Sequence, residues 1–335
     1  MNNIIPTLFL YLFLPALLCA EDTGRTDCII SSGNLDRHFI VYKPAGESNR
    51  PSPVVFMFHG ASGNGERFYN ISGWKEKADS VGFIAVFPTA KRYCLKGDDG
   101  TRLVTRWNAG TLEKEICESE TLADDVLFFR DMVSYLKENH SVDCRRIYAS
   151  GFSDGANFVS LLTIKASDIL AATAVVAGML QDTTLQTKSP IPFFLAVGQK
   201  EILLAGPDGE ALPLSPEVIE KHRLLMGIIN RMVDRLSLER EYVVKENEHF
   251  LELVYSKSRM NAGNQLRFAL IGNLGHNYPN GRNHPLVIAD VFWEFFKDKV
   301  KSPVPNQEDI SYGPFENNVP GLYFQLPAKT LISSN

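Results

Sequence analysis

The stretch IYASGFSDGA, Ile147 to Ala156, carries an apolar run into a helix-like continuation through a serine framed by Gly151 and Gly155. A strand that turns directly into a helix needs a sharp bend, and glycines on either side let the two elements pack closely around it. Two readings follow. Ser153 marks a tight turn and nothing more, or it is a nucleophile held at the tip of a strained elbow above the C-terminal edge of a sheet. So short a pattern recurs by chance, and its surroundings have to choose.

Outward from the elbow, short apolar runs alternate with stretches of helical spacing. PVVFMFHG (53–60), FIAVFP (83–88), AATAVVAG (171–178), PFFLAVG (192–198) and LRFALIG (266–272) read as strands buried on both faces, while RHFIVYKP (37–44) alternates as a half-buried strand does. Helical spacing runs over 122–140, 157–165, 217–236 and 285–299, with Asp124 and Asp125 where negative charge suits a helix start. Residues 89–120 read as irregular. Strands alternating with helices predict an α/β fold: a mostly parallel central sheet covered by helices on both faces.

The hydrophobic content of 44% permits a sizeable core, and the net charge of -5 argues against a nucleic-acid partner. Residues 1–20 read as a signal peptide: an uncharged run rich in Leu, Phe and Ile ends at Ala20, before Glu21 and Asp22. Its flanks fit imperfectly, so a retained anchor stays open. No later stretch is apolar enough to span a bilayer. The expected plan is a signal peptide over 1–20, a catalytic domain over 21–301 and an irregular C-terminal extension over 302–335. Removing the leader removes Cys19 and leaves Cys28, Cys94, Cys117 and Cys144. An even count in an exported chain predicts two disulfides, with Cys94–Cys117 and Cys28–Cys144 favoured. No CxxC pair points to zinc, and neither a metal nor a cofactor is expected. Asn70 and Asn139 stand in glycosylation sequons, which matter only in a eukaryotic host.

A nucleophilic serine needs a base, and the base an orienting acid, in the chain order Ser, acid, His. Of seven histidines, four follow Ser153. His222 falls in a helix and His249 in a charged stretch. His276 and His284 both lie between the last strand and the last helix; His276, in a loop of Gly, Asn and Pro, is favoured. Glu201 follows the strand 192–198 and is the favoured acid, with Asp208 as rival and Asp182 less well placed. The oxyanion donors expected by position are the N–H groups of Asp154 and of Ala61, the latter in HGASGNG (59–65). His59 reads as a prop for that loop. The same loop has the strand–Gly–helix setting of a phosphate cradle, but lacks the Gly-Lys-Ser/Thr ending and the dinucleotide glycine spacing. Trp107, in RWNAG, and Tyr278 are candidate pocket residues.

These motifs resemble, in order, the secreted esterases of the polyhydroxybutyrate depolymerase and feruloyl esterase group, α/β-hydrolases related to carbohydrate esterase family one. The resemblance runs from about residue 37 to 299 through VVFMFHGASG, the Trp74–Pro88 stretch, RWNAG, DDVLFFRDMVSYL, VDCRRIYASGFSDGAN and GHNYPNG. It implies Ser153 as nucleophile, His276 as base, and Ala61 and Asp154 as oxyanion donors. It also implies Asp where this chain has Glu201, a departure that leaves the acid open. The expectation is an exported ester hydrolase acting on polysaccharide-linked acyl or feruloyl esters, hydroxyalkanoates or small esters. The alternatives are a serine peptidase or a non-catalytic binder on a hydrolase scaffold.

Overall fold

The computed structural model describes residues 24–46, 50–97, 100–181, 184–187, 189–202, 204, 210–259 and 263–301. The leader, the tail from 302, Asp182 and Asp208 lie outside the described residues.

The chain opens with an antiparallel pair, β1 (Arg25–Ser32) and β2 (Leu35–Tyr42), followed by β3 (Ser52–Phe58), helices α1 (Gly65–Ile71) and α2 (Trp74–Val81), and β4 (Ile84–Pro88). A two-stranded hairpin, β5 (Arg92–Gly97) and β6 (Gly100–Thr105), precedes α3 (Asp125–Asn139), β7 (Val142–Phe152), α4 (Asp154–Lys165), β8 (Ala172–Val176) and β9 (Phe193–Gly198). Helices α5 (Pro216–Lys221) and α6 (Arg223–Arg235) lead to β10 (Val243–Glu246), β11 (Phe250–Tyr255), β12 (Leu266–Ile271) and α7 (Ile288–Phe296).

Among the described residues, ten strands form one sheet in the order β1-β2-β4-β3-β7-β8-β9-β12-β11-β10. The run from β4 to β12 is parallel; the pairs at both edges are antiparallel. Alternation along the strands sorts the core into two layers. Val54, Phe56 and Phe58 of β3 face a layer with α3, α4 and α6, whereas Val55 and Met57 face a layer with α1, α2 and α7. Both faces are therefore dry, which is why these strands read as unbroken apolar runs.

Several local expectations are corrected. The stretch read as irregular holds the β5–β6 hairpin, and Lys96 N–H and Cys117 N–H bond to Glu115 O and Cys94 O beside it. The Cys94–Cys117 disulfide closes that region. The Cys28–Cys144 pairing does not form: Cys28 is buried on β1, 3.4 Å from the Tyr135 hydroxyl, while Cys144 is exposed near the start of β7. The helix read over 217–236 is two helices. They meet at His222, which ends α5 and caps α6 by accepting from Leu225 N–H. Helix α3 starts later than its apolar spacing implied, because the Asp124 carboxylate accepts from Leu127 N–H and acts as its N-cap. No helix among the described residues is long and apolar enough to cross a membrane.

Candidate active site at the end of the parallel strands

Ser153 occupies the one-residue bend between β7 and α4, with φ 53° and ψ -115°. That backbone is strained for a residue with a side chain. Sterics explain the two glycines of the motif. A Cβ on Gly151 would stand 2.4 Å from Gly155 O, and one on Gly155 would stand 2.2 Å from Phe58 O. Gly178, after β8, is similarly constrained: a Cβ there would stand 2.5 Å from Ala156 Cβ and 2.7 Å from Ser153 O. The serine itself is pinned by Ser153 N–H to Val176 O at 2.9 Å.

Two further loops at the same sheet edge extend a line of hydrogen bonds from its hydroxyl. The loop after β12 brings His276 Nε2 to 2.9 Å from Ser153 Oγ. The loop after β9 brings both Glu201 carboxylate oxygens to 3.0 Å from His276 Nδ1. These two loops are zipped together by Lys200 N–H to Leu274 O and by Asn273 N–H to the Gln199 side-chain carbonyl, both at 2.8 Å. Gly198 sits where a Cβ would stand 2.3 Å from Leu274 O. The Glu201 hydrogen bond raises the His276 pKa above its ordinary value, against the opposing effect of partial burial. Phe152 lies against the imidazole, ring centres 5.3 Å apart. His284, the rival base, is buried elsewhere: Nε2 bonds to Gly272 O and Nδ1 accepts from Leu286 N–H, so both nitrogens serve backbone.

On the other side of Ser153 lies a hydrogen-bonded strap made of the RWNAG segment. The Asp154 carboxylate accepts from Arg106 Nε at 2.8 Å and from Trp107 N–H at 2.7 Å. Burial pushes the Asp154 carboxyl up, and these two donors pull it back. One step further, the Asp125 carboxylate accepts from Asn108 N–H at 2.7 Å and from Arg37 at 2.6 Å, both groups of the ion pair being buried. The Trp107 indole N–H donates to His59 O at 2.9 Å, and its ring stacks on Phe158 at 5.2 Å.

His59 is fully buried, and burial lowers its pKa to about 4. The ring is therefore neutral. Nε2 accepts from Ala90 N–H at 3.0 Å, so the proton sits on Nδ1 and is donated to Gly60 O at 2.7 Å. That bond orients the Gly60–Ala61 peptide, whose N–H belongs to Ala61. The neighbouring N–H groups are engaged, Ser62 with Thr105 O and Gly63 with Gly60 O, each at 3.0 Å. Asp154 is the first residue of α4, so its N–H is outside the helix's own ladder.

Trp107 and Tyr278 do not line a pocket. Trp107 is 1% exposed, committed by its indole to the strap, and Tyr278 is 4% exposed, wedged edge-on against Phe68 and Phe152. The cavity beside Ser153 lies on the opposite side, about 450 Å³, walled by Met179, Leu195, Val197, Leu225 and Ile228. Sequence reasoning missed these residues, and also Arg106. The apolar stripe of α6 was the available signal, but it reads only as core.

The six parallel strands, the antiparallel edges, and the β7–α4 bend with the loops after β9 and β12 meeting at one end define an α/β-hydrolase fold. Solved structures share it: an acetyl xylan esterase from Aspergillus awamori matches with TM-score 0.51 at 14% identity, over 81% of this chain and 99% of that one. A thermostable esterase matches with TM-score 0.52 at 12% identity, over 83% of this chain and 64% of that one. Within the fold, residues 37–191 match the family described as Esterase PHB depolymerase. Feruloyl esterase B of Talaromyces stipitatus is 26% identical over 172 residues, 51% of this chain and 44% of that protein. Poly(3-hydroxyalkanoate) depolymerase C of Paucimonas lemoignei is 26% identical over 127 residues, 38% of this chain and 28% of that protein. The chain thus spans less than half the length of these curated relatives.

Proposed function

We propose that the chain is an exported serine esterase that cleaves carboxylic esters through an acyl-enzyme. The observation that carries this reading is the unbroken line from Ser153 Oγ to His276 Nε2 at 2.9 Å and from His276 Nδ1 to Glu201 at 3.0 Å. His276 takes the Ser153 proton as Oγ attacks the ester carbonyl. Glu201 accepts from Nδ1–H, so the imidazole presents the correct tautomer, and its charge stabilises the imidazolium that forms. The N–H groups of Ala61 and Asp154 receive the oxyanion; each such donor is worth roughly 3–4 kcal/mol of transition-state stabilisation. The imidazolium gives its proton to the departing alcohol. Water, deprotonated by His276, then attacks the acyl carbon; the acid leaves, and Ser153 Oγ regains a proton from His276.

The departure from Asp to Glu is compatible with this role. Its longer arm is met by a turn after β9, where Glu201 N–H bonds to Gly198 O. Export is supported by the apolar leader and by the Cys94–Cys117 disulfide, a bond that persists in oxidising compartments. The 302–335 stretch is read as an extension outside the catalytic domain.

Labelling the purified protein with a fluorophosphonate and mapping the modified peptide tests the reading. A label on Ser153 that disappears in His276→Ala is the expected result. A folded protein that takes no label and cleaves no ester, yet binds an ester or a polysaccharide equally well as Ser153→Ala, would instead be a binder on a hydrolase scaffold.

A further inference from the structure

The cavity beside Ser153 has an unusual lining for a site framed by a charged relay. Its walls come from the loop after β8 (Met179), from β9 (Leu195, Val197) and from α6 (Leu225, Ile228). Among the described residues, no Phe, Tyr, Trp, Lys or Arg lines it. Its polar side chains beyond Ser153 and His276 are few: Asn157, Gln181 and Glu201, with Gln181 Nε2 3.5 Å from Met179 O. The Asn157 side-chain carbonyl accepts from Met179 N–H at 2.9 Å, and Glu201 holds His276. A sugar arm, with a hydroxyl on nearly every carbon, would lose more hydration there than two amide side chains return. An aromatic acid would find no ring to pack against.

The volume points to more than a small group. A cavity of about 450 Å³ is roughly three times one that takes benzene, so an acetyl group would leave most of it unfilled. The mouth is apolar too. Ile202 is 84% exposed and Leu224 40% exposed, and both also line the cavity. Two large aliphatic side chains at the entrance to a site, left in water when it is empty, are covered when an apolar arm enters.

We infer that the ester cleaved at Ser153 carries a flexible aliphatic arm of about six to ten carbons that lies in this cavity. This rests on the serine-esterase reading. The arm belongs to the acyl or to the alcohol side of the ester, and the test separates the two.

The experiment measures kcat/KM for two series on the purified protein: p-nitrophenyl esters with acyl chains from two to ten carbons, and acetates of straight-chain alcohols from two to eight. Methyl ferulate is the aromatic comparator. Each methylene buried multiplies kcat/KM by up to about fourfold. One series is therefore expected to rise at least tenfold between its two- and six-carbon members, which identifies the side. Ile228→Trp, which fills the cavity, is expected to cut the ratio of eight- to two-carbon rates at least tenfold. Leu224→Trp at the exposed mouth gives the same readout should the first variant not fold, with fluorophosphonate labelling of Ser153 reporting an intact site. Flat or falling rates in both series, or a preference for methyl ferulate over every aliphatic ester, overturn the inference while Ser153-dependent hydrolysis keeps the esterase reading. Absence of both hydrolysis and Ser153 labelling overturns both.

Discussion

The two sides of Ser153 are built in opposite ways. On one side stands a strap of buried polar groups. Arg106, Trp107 and Asn108 are held by the carboxylates of Asp154 and Asp125, and His59 is clamped between Ala90 N–H and Gly60 O. On the other side the wall is aliphatic, and directional bonds are few. The first arrangement tolerates little movement, because each buried polar atom left without its partner costs about 1–3 kcal/mol. The second defines a shape and not a set of bond directions. On the proposed mechanism, the difference teaches that stiffness is concentrated where the backbone N–H groups of Ala61 and Asp154 would meet a developing charge, and looseness where a substrate would be accommodated.

The comparison breaks most sharply at the serine. Ser153→Ala is expected to remove ester hydrolysis by about 10⁶ in kcat while leaving urea stability nearly unchanged, since it deletes one hydroxyl at a half-exposed position. Residual turnover within tenfold of the parent would mean that another group does the chemistry. Glu201→Gln keeps the shape but offers His276 an amide. A loss of about 10³ to 10⁴ in kcat is expected, and the residual activity should shift its acid limb to lower pH. The sign follows from the Glu201 bond, which raises the His276 pKa. In the proposed mechanism the active form is the neutral imidazole. In the parent, kcat/KM should therefore fall as pH drops through a value above 6.5, and removing the carboxylate lowers that value. An acid limb that stays put in the variant would detach Glu201 from His276.

The strap makes the contrasting prediction, a loss of stability as well as rate. Asp154→Ala strands Trp107 N–H and leaves Arg106 only its Glu115 pairing at 3.1 Å, and is expected to lower unfolding free energy by about 3 kcal/mol, read from urea titrations. A stability change below about 1 kcal/mol would show that the strap is held by packing alone. Away from both walls, Cys94→Ser with Cys117→Ser opens a loop with a sequence separation of 23 and should cost about 3 kcal/mol. Cys144→Ser, exposed and unpaired, should cost nothing measurable, so equal losses for the two would restore a second bridge.

How much of this was legible depended on how each element earns its stability. Strands β3, β4, β8, β9 and β12 could be read because burial on both faces leaves unbroken apolar runs. Strand β10, VVKE, could not: all four residues are exposed, and only pairing with β11 makes it a strand. The β5–β6 hairpin was missed for a similar reason, since β6 buries no residue fully and is held by its partner. Aromatic type misled at Trp107 and Tyr278. A large ring near a serine in the chain fills core as readily as it lines a pocket, and here both rings turn inward. Parity misled at Cys28 and Cys144, because an even count does not place two sulfurs together.

By itself, the sequence determined the elbow, the order serine–acid–histidine and the layered α/β plan. Each of these is local: glycine positions, hydrophobic period, and the place of a residue relative to its strand. Only the tertiary structure decided that Glu201, and not a residue of another loop, meets His276, because that contact depends on two loops zipped across strands far apart in the chain. It also decided where the cavity lies. Met179, Leu195 and Ile228 are brought to one wall by the packing of α6 against the sheet, and no local pattern records a surface assembled from three segments.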